Sequence, residues 1–365
     1  MPKIGALARD RLIVKGDLPQ ALGYRLPAEW EKHEATWLAW PHNPETWEDL
    51  KEIEAIYAEI IACLTAGEKT VILVNDEREE ESARKKLSKK GVRLPQVRFL
   101  RIKTWDAWIR DYGPNFIMRE NSRSSGGGRL AINRWIFNAW GSKYDEHKED
   151  DQASRQIAGS LGLPVFEPHF VLEGGSIDGN GEGMILTTEE CLLNSSRNPA
   201  FGKRQIEESL RNYLGAQNII WLGKGIEGDD TDGHVDDIAR FVNRNTVIAA
   251  VETNPADKNY EPLKENLKRL KKAEDQSDKK LNVIELPMPK PLWAGSVRLP
   301  ASYANFYIAN HAVLVPVFGC PSDKTVLRIL EEVFPDRAVL GIRSEVLVYG
   351  FGGIHCLTHE QPAIS

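Results

Sequence analysis

The amino-acid sequence predicts an α/β fold. Short runs rich in β-branched residues alternate along the chain with longer segments whose apolar residues recur every three or four positions. Hydrophobic residues make up 41% of the 365 residues and charged residues 27%, which is ordinary for a globular protein with a large core. Length alone favours about two domains.

Five short runs predict strands, and six longer segments predict helices. The strands are "TVILVN" (70–75), "VRFLRI" (97–102), "NIIWLG" (218–223), "TVIAAVE" (246–252) and "NVIELP" (282–287). The helices are residues 48–65, 77–90, 149–161, 203–214, 258–275 and 322–333. The first helix carries one apolar stripe that should face a sheet, formed by Leu50, Ile53, Tyr57, Ile60 and Leu64.

Two glycine-rich stretches predict loops within hairpins. "NSRSSGGG" (121–128) lies between "NFIMRE" and "RLAINRWIFN", which we expect to pair as a long hairpin. "DGNGEG" (178–183) separates "FVLEGGSI" from "MILTT" and supplies the glycines of a second turn.

Charge, cysteine spacing and hydropathy exclude several classes of protein. A net charge of −6 argues against a nucleic-acid partner, which needs a basic face, and favours a small cationic ligand. Cys63, Cys191, Cys320 and Cys356 form no CxxC pair, so we expect neither a disulfide framework nor a zinc knuckle. The sequence starts without a signal-like apolar run and contains no stretch of about 20 apolar residues. We therefore expect a cytoplasmic protein that does not enter a membrane.

Four stretches are unusually dense in functional side chains. They are "TWDAWIRDYGP", "VLEGGSIDGNGEG", "GDDTDGHVDDIARF" and "GFGGIHCLTHEQP". Each has an ordinary structural interpretation, because carboxylates beside glycines often cap backbone and a lone cysteine is commonly a buried apolar group. Cys356, in the last stretch, is thus a candidate nucleophile, metal ligand or core residue.

Metal binding fits these stretches poorly. Read as a calcium loop, "GDDTDGHVDDIA" leaves Gly228 at the first ligand position and Ala239 at the last. The sequence has no HExxH motif for zinc, and "GGSIDGNGEG" lacks the GK[ST] of a phosphate loop. We therefore expect no metal and no other cofactor.

Strand alternation suggests a proton partner for the thiol. If "GHVDDIARF" begins a strand, His234 and Asp236 lie on the same face, whereas "GGIHCL" sends His355 and Cys356 to opposite faces. His234 is therefore the better partner for Cys356. Nearby carboxylates should keep the thiol protonated unless a cation such as a guanidinium, which carboxylates bind in bidentate fashion, offsets their charge.

The four stretches resemble the signature of the agmatine deiminase and Porphyromonas-type peptidylarginine deiminase family, in the guanidino-group-modifying (pentein) superfamily. "GYRLPAEWEKHEATWLAWPHNPETW", "LTTEECLLNSSRNP", "ASYANFYIAN" and "VFPDRAVLGI" are similar to further family blocks, so the resemblance covers nearly the whole chain. It implies a single deiminase domain over residues 1–365 with the fold of a five-bladed α/β propeller of ββαβ-like units around a central site. The sequence itself has no readable fivefold repeat.

The resemblance also implies a role for each matching residue. The implied set is the nucleophile Cys356, the general acid and base His234, the histidine-orienting Glu173, the guanidinium-binding Asp111 and Asp236, and the substrate-lining Trp108. We expect Asp230 to bind substrate as well. The chain departs from the family at "GFGGIHC", where three glycines and an asparagine usually precede the isoleucine, and at His359, where a glutamine is common.

The expected activity is cofactor-free hydrolysis of a guanidino group through a covalent thiouronium on the cysteine. Agmatine, giving N-carbamoylputrescine and ammonia on a route to putrescine, is favoured over free or C-terminal peptidyl arginine. The reason is that "FNAWGSKYDEHKEDD" has several acids and no arginine for a substrate carboxylate, although Lys143, Lys148 and Arg134 count against it. The alternative from another class is a non-catalytic binder of guanidino or polyamine compounds. The sequence leaves open whether the chain forms a homo-oligomer.

Overall fold

Five small sheets repeat one plan in the part of the chain that the structure, a computed structural model, describes, namely residues 12–120 and 128–364. In each sheet an antiparallel strand pair is followed by parallel pairing, and a helix connects the parallel strands. The same plan holds in the later sheets. This is the five-bladed α/β propeller that the family resemblance implied.

The strands of the five sheets follow one another around the ring. In pairing order they are β18 (His359–Pro362), β1 (His33–Ala39), β2 (Lys69–Val74) and β3 (Val97–Arg101); β4 (Asn115–Met118), β5 (Leu130–Asn133) and β6 (Val165–Phe166); β7 (Asp178–Gly179), β8 (Met184–Thr188) and β9 (Asn218–Leu222); β10 (Ala239–Asn243), β11 (Thr246–Val251) and β12 (Asn282–Pro287); β15 (Tyr307–Ile308), β16 (Ala312–Val317) and β17 (Ala338–Arg343). A separate hairpin joins β13 (Trp293–Ala294) to β14 (Val297–Arg298).

The crossover helices bury their apolar faces against the sheets. They are Leu50–Leu64, Lys148–Leu161, Lys203–Leu214, Tyr260–Lys272 and Ser322–Val333, and Glu77–Lys90 connects β2 to β3. Short helical turns are Ile109–Tyr112, Ala139–Ser142 and Glu189–Leu192, with 3-10 turns at Gln20–Leu22, Leu94–Gln96, Gly174–Ser176, Val235–Asp237 and Leu347–Gly350. None of the helices in the described ranges has the length and apolar character needed to cross a bilayer.

The first strands of the sheets surround the axis of the ring. β18 contacts β4, and β7 contacts β10, so strands from neighbouring sheets meet there. β18 pairs antiparallel with β1, although the two strands lie at opposite ends of the described chain. The ring is therefore closed by main-chain hydrogen bonds within the first sheet.

Most predicted elements are confirmed, including the hairpin of β4 and β5, but three axial segments are not the strands that we predicted. Residues 170–177 lead through a 3-10 turn, and β7 begins only at Asp178, inside the predicted turn. His234 precedes the 3-10 turn Val235–Asp237, and Asp236 lies within it. Cys356 lies in a turn before β18. These segments carry polar side chains toward the axis, where the alternation of a half-buried strand does not apply. Residues 121–127 of the predicted glycine-rich loop lie outside the described residues.

Candidate active site

The expected catalytic side chains lie in the segments that lead into the first strand of a sheet. Asp111 precedes β4, Glu173 precedes β7, His234 and Asp236 precede β10, and Cys356 precedes β18. Because these strands surround the axis, the ring brings residues from distant parts of the sequence together at one end.

Gly175 is the point at which three of these side chains converge. A Cβ atom at position 175 would lie 2.6 Å from Nδ1 of His234 and 3.0 Å from both Oδ1 of Asp111 and Oδ2 of Asp236. The Gly175 N–H donates to Oδ1 of Asp111 at 2.9 Å, and this oxygen lies 3.7 Å from Nδ1 of His234. A glycine is required here because any side chain would displace the two carboxylates and the imidazole.

Cys356 lies beside one of these carboxylates. Its Sγ is 3.8 Å from Oδ2 of Asp236, and it accepts a hydrogen bond from Nδ2 of Asn305 at 3.2 Å. Burial raises the pKa of the thiol well above its usual range, and the nearby carboxylates, led by Asp236, raise it further. The site without substrate therefore favours the neutral thiol.

His234 is buried and is charged by its surroundings. Burial alone would lower the pKa of the imidazole, but the carboxylate of Asp111 and the buried Cys191 outweigh this effect, so the pKa lies well above its ordinary value. Neither ring nitrogen has a hydrogen-bond partner among the described residues. The surroundings therefore favour the protonated ring, and neither nitrogen is committed to a hydrogen bond with the described residues.

Glu173 lies close to His234 but is also tied to a residue that the sequence analysis missed. One atom each from Glu173, Cys191 and His234 lie within 4.8 Å of one another. Oε1 of Glu173 accepts from Nε of Arg197 at 2.9 Å, with both side chains fully buried, while Oε2 has no partner among the described residues. Arg197 therefore fixes the carboxylate near the imidazole.

The same trio is the one group of three His, Cys, Asp or Glu side chains in the described residues that could hold a metal ion. All three side chains are buried, and a metal there would occupy the imidazole that the sequence analysis assigned to proton transfer. A metal ion bound by these three side chains would therefore prevent His234 from transferring protons.

A cavity of about 150 Å³ opens beside the thiol. Cys356, Asp111 and Trp108 line it, whereas His234, Asp236 and Glu173 lie behind the lining. The lining contains no lysine or arginine among the described residues. Its acidic members are Glu45, Asp106, Asp111, Glu146, Asp150 and Asp230.

Aromatic rings form the walls of this cavity. The Trp108 ring packs against Trp47, with ring centroids 5.1 Å apart, and a Cβ at Gly352 would approach Trp108 to 2.4 Å. Trp140, which the sequence analysis missed, donates from Nε1 to Oδ2 of Asp111 at 2.8 Å. Trp140 itself has a φ of 53°, in the left-handed region that non-glycine residues avoid, so the backbone is strained where it places this ring.

Asp230 lies in the lining with one oxygen held by a tyrosine. The hydroxyl of Tyr144 donates to Oδ2 of Asp230 at 2.8 Å. Burial raises the pKa of Asp230 to about 6, although the hydrogen bond from Tyr144 lowers it. Nζ of Lys143 donates hydrogen bonds to the main-chain carbonyl of Asp230 and to the carboxylate of Asp232. Lys143 is not part of the cavity lining.

Comparison with known proteins gives consistent matches. The sequence model for the Porphyromonas-type peptidyl-arginine deiminase family matches residues 25–362. An agmatine deiminase of Stutzerimonas stutzeri is 37% identical over 369 residues, and one of Pseudomonas aeruginosa (strain LESB58) is 36% identical; each match covers 94% of this chain and 97% of the relative.

Solved structures extend the similarity to three dimensions. The agmatine deiminase of Enterococcus faecalis matches with a TM-score of 0.87 at 31% identity, covering 96% of this chain and 98% of that one. A C. jejuni agmatine deiminase with substrate bound matches with a TM-score of 0.82 at 32% identity, covering 93% of this chain and 96% of that one. With a family model and relatives that both span nearly all of its length, the chain belongs to the Porphyromonas-type peptidyl-arginine deiminase family.

Proposed function

We propose that the chain is an agmatine deiminase, which hydrolyses agmatine to N-carbamoylputrescine and ammonia. The observation that carries this proposal is the composition of the cavity beside Cys356, which has six acidic residues and neither lysine nor arginine in its described lining. Agmatine has a guanidinium at one end and an ammonium at the other. A substrate with a carboxylate would find no lysine or arginine there to bind it.

The guanidinium end is assigned to the carboxylates beside the thiol. Burial raises the pKa of Asp111, so an ionised pair of Asp111 and Asp236 is costly until a cation arrives. A planar guanidinium supplies both the charge and the fork of donors that two carboxylates accept. Trp108 adds a ring face against which the cation can rest.

The ammonium end is assigned to Asp230. Its carboxylate lies in the same lining, and Tyr144 fixes one of its oxygens at 2.8 Å. Two of the three positive residues that counted against agmatine in the sequence form ion pairs: Lys143 with Asp232, and Arg134 with Asp151.

The chemical steps follow from the protonation states of the two central groups. Binding of the guanidinium favours loss of the Cys356 thiol proton to solvent, and the thiolate attacks the guanidinium carbon; the C–N bond breaks, and ammonia leaves with a proton from His234. The neutral imidazole then takes a proton from water, whose oxygen attacks the thiouronium carbon. The C–S bond breaks, the hydroxyl proton of the intermediate passes to the sulfur, and the ureido product leaves with the thiol restored. Glu173, held by Arg197, stabilises the imidazolium.

Three substrates test the proposal. Agmatine, free arginine and a peptide ending in arginine are each incubated with the protein, and ammonia and ureido product are measured. We expect turnover of agmatine with kcat/KM at least tenfold above the other two. Preference for either arginine substrate would refute agmatine as the substrate, and agmatine binding without product would favour a non-catalytic binder.

A further inference from the structure

His355 links Asp236, the carboxylate proposed to bind the substrate, to Glu29 and the buried charged side chains around it. Its Nδ1 lies 2.7 Å from Oδ2 of Asp236, and its Nε2 lies 2.7 Å from Oε2 of Glu29. All three side chains are buried. Oδ2 of Asp236, which accepts from this ring, is also the oxygen that lies 3.8 Å from Sγ of Cys356.

The geometry defines the protonation state of this ring. Ionised carboxylates only accept hydrogen bonds, so both ring nitrogens must donate, and only the doubly protonated imidazolium can do so. A neutral ring would place a lone pair against one carboxylate at 2.7 Å inside the protein, where an unmade hydrogen bond is expensive. The two carboxylates on either side keep the ring charged.

The cation matters more to Asp236 than to Glu29. Glu29 also lies near two arginines, Arg240 at 2.9 Å and Arg110 at 3.4 Å. In the described part of the chain, His355 is the one cationic side chain that hydrogen-bonds Asp236. The hydrogen bond from His355 lowers the pKa of Asp236 against the burial that would raise it.

The other oxygen of Asp236, Oδ1, is not used by His355. Oδ1 is fully buried and has no hydrogen-bond partner among the described residues, whereas Oδ2 is occupied by His355. A buried carboxylate oxygen without a donor indicates that a ligand supplies one. The imidazolium therefore fixes the side-chain rotamer of Asp236 in which Oδ1 has no hydrogen-bond partner among the described residues.

We propose that His355 is a positioning residue that, as an imidazolium between Glu29 and Asp236, holds Asp236 ionised with Oδ1 presented to the substrate guanidinium. The inference rests on the proposed function for the identity of the bound cation, but the charge state of His355 can be measured without substrate. His355 does not contact the reacting atoms and acts through Asp236.

The first test measures the protonation of the ring directly. Histidines are labelled with ¹⁵N, and the signals of His355 are identified by their loss in a His355→Gln variant. We expect both ring nitrogens to carry protons in the folded protein without substrate, because each faces a carboxylate oxygen. A neutral ring in the folded protein would overturn the proposal, whatever the substrate is.

The second test measures agmatine affinity by calorimetry in a Cys356→Ser background, where no turnover occurs. His355→Ala and His355→Gln should each weaken binding by about ten- to one hundred-fold, the size expected for a lost hydrogen bond to a charged group. Once Asp236→Asn is present, the same changes should have little further effect. The glutamine variant keeps the volume of the site if the alanine variant does not fold.

His359→Gln is the matched control. His359 is equally buried, lies on the same terminal segment and has no hydrogen-bond partner for its ring nitrogens in the described residues, so its replacement should leave affinity unchanged. In proteins that retain Cys356, the His355 variants should raise KM by a larger factor than they lower kcat. Unchanged affinity in His355→Gln, or losses that add to those of Asp236→Asn, would refute the positioning role. A parent protein that does not bind agmatine would instead refute the proposed function, and the nitrogen signals would still decide the charge state.

Discussion

The charge of a small reagent should control how fast Cys356 is alkylated. Sγ of Cys356 lies 3.8 Å from Oδ2 of Asp236, and unit charges at this separation repel by about 4 kcal/mol at an effective dielectric constant of about 20. An amidinium bound by Asp236 and Asp111 cancels this repulsion. His355 contacts the same oxygen and offsets part of this repulsion, but even half of that energy, about 2 kcal/mol, increases the thiolate population about thirty-fold.

Chloroacetamidine and chloroacetamide provide the comparison, because they have nearly the same size and differ in charge. Second-order inactivation rates are measured from pH 6 to 9 and divided by the rates for a free small thiol, which removes the intrinsic difference between the reagents. Mass spectrometry identifies Cys356 as the modified residue. We expect the cation to react at least thirty-fold faster after this correction, and Asp111→Asn to reduce the ratio.

A corrected ratio near one in the parent protein would refute the reasoning. It would mean that the carboxylates do not face the sulfur, or that they do not bind the cation. An unchanged ratio in Asp111→Asn would restrict the effect to Asp236 and would remove Asp111 from the proposed guanidinium site.

Four further results are expected. Cys356→Ser should abolish product formation while the protein still binds agmatine in a calorimeter; residual turnover would exclude the covalent route. Because the pKa of Asp230 is about 6, KM for agmatine should rise as pH falls through 6, and Tyr144→Phe should move this rise to higher pH because it removes a hydrogen bond to the carboxylate. Butylguanidine, which lacks the distal ammonium, is the control and should show neither effect. The pKa of Glu29 is lowered from 4.5 to about 2 by Arg240, His355 and Arg110 against its burial, so its ionisation stabilises the fold above pH 4.5. About 3 kcal/mol should be lost between pH 4.5 and 2, and urea unfolding of Glu29→Gln should be less acid-sensitive than that of the parent. Dialysis against a strong chelator should leave the rate of deimination unchanged, and recovery of a lost rate by zinc or calcium would overturn the metal-free mechanism.

The sequence predicts the outer part of the propeller well, because that part follows hydrophobic periodicity. The helix Leu50–Leu64 buries four of the five residues of the predicted stripe, with Leu50 partly buried, and β11 and β12 coincide with β-branched runs. The axial segments were predicted less well. Residues such as Gly174 and Asp236 lie in turns that direct polar groups inward, and neither strand nor helix periodicity describes such turns.

Of the candidate site, the sequence predicted only the residues that lie in short recognisable motifs. His234 and Asp236 share one stretch, and the family resemblance supplied Cys356, Glu173 and Asp111, whose roles stay predictions until tested. The partners that hold these groups come from distant segments and were missed. They are Asn305 on the thiol, Trp140 on Asp111, and Arg197 and Cys191 beside Glu173 and His234. Asn305 and Arg197 lie within the quoted blocks "ASYANFYIAN" and "NSSRNP", but nothing in their local sequence indicates which carboxylate or thiol they contact.

The pairing of β18 with β1 makes catalysis a reporter of a completed fold. Cys356, the proposed nucleophile, lies just ahead of β18, so we expect it to reach its position only when that strand joins β1, the first strand in the described part of the chain. During synthesis on the ribosome, the other sheets can assemble while the thiol is still missing. We therefore expect that a nascent chain that ends before Cys356 cannot turn over substrate, and that loss of turnover accompanies the first step of unfolding that releases β18.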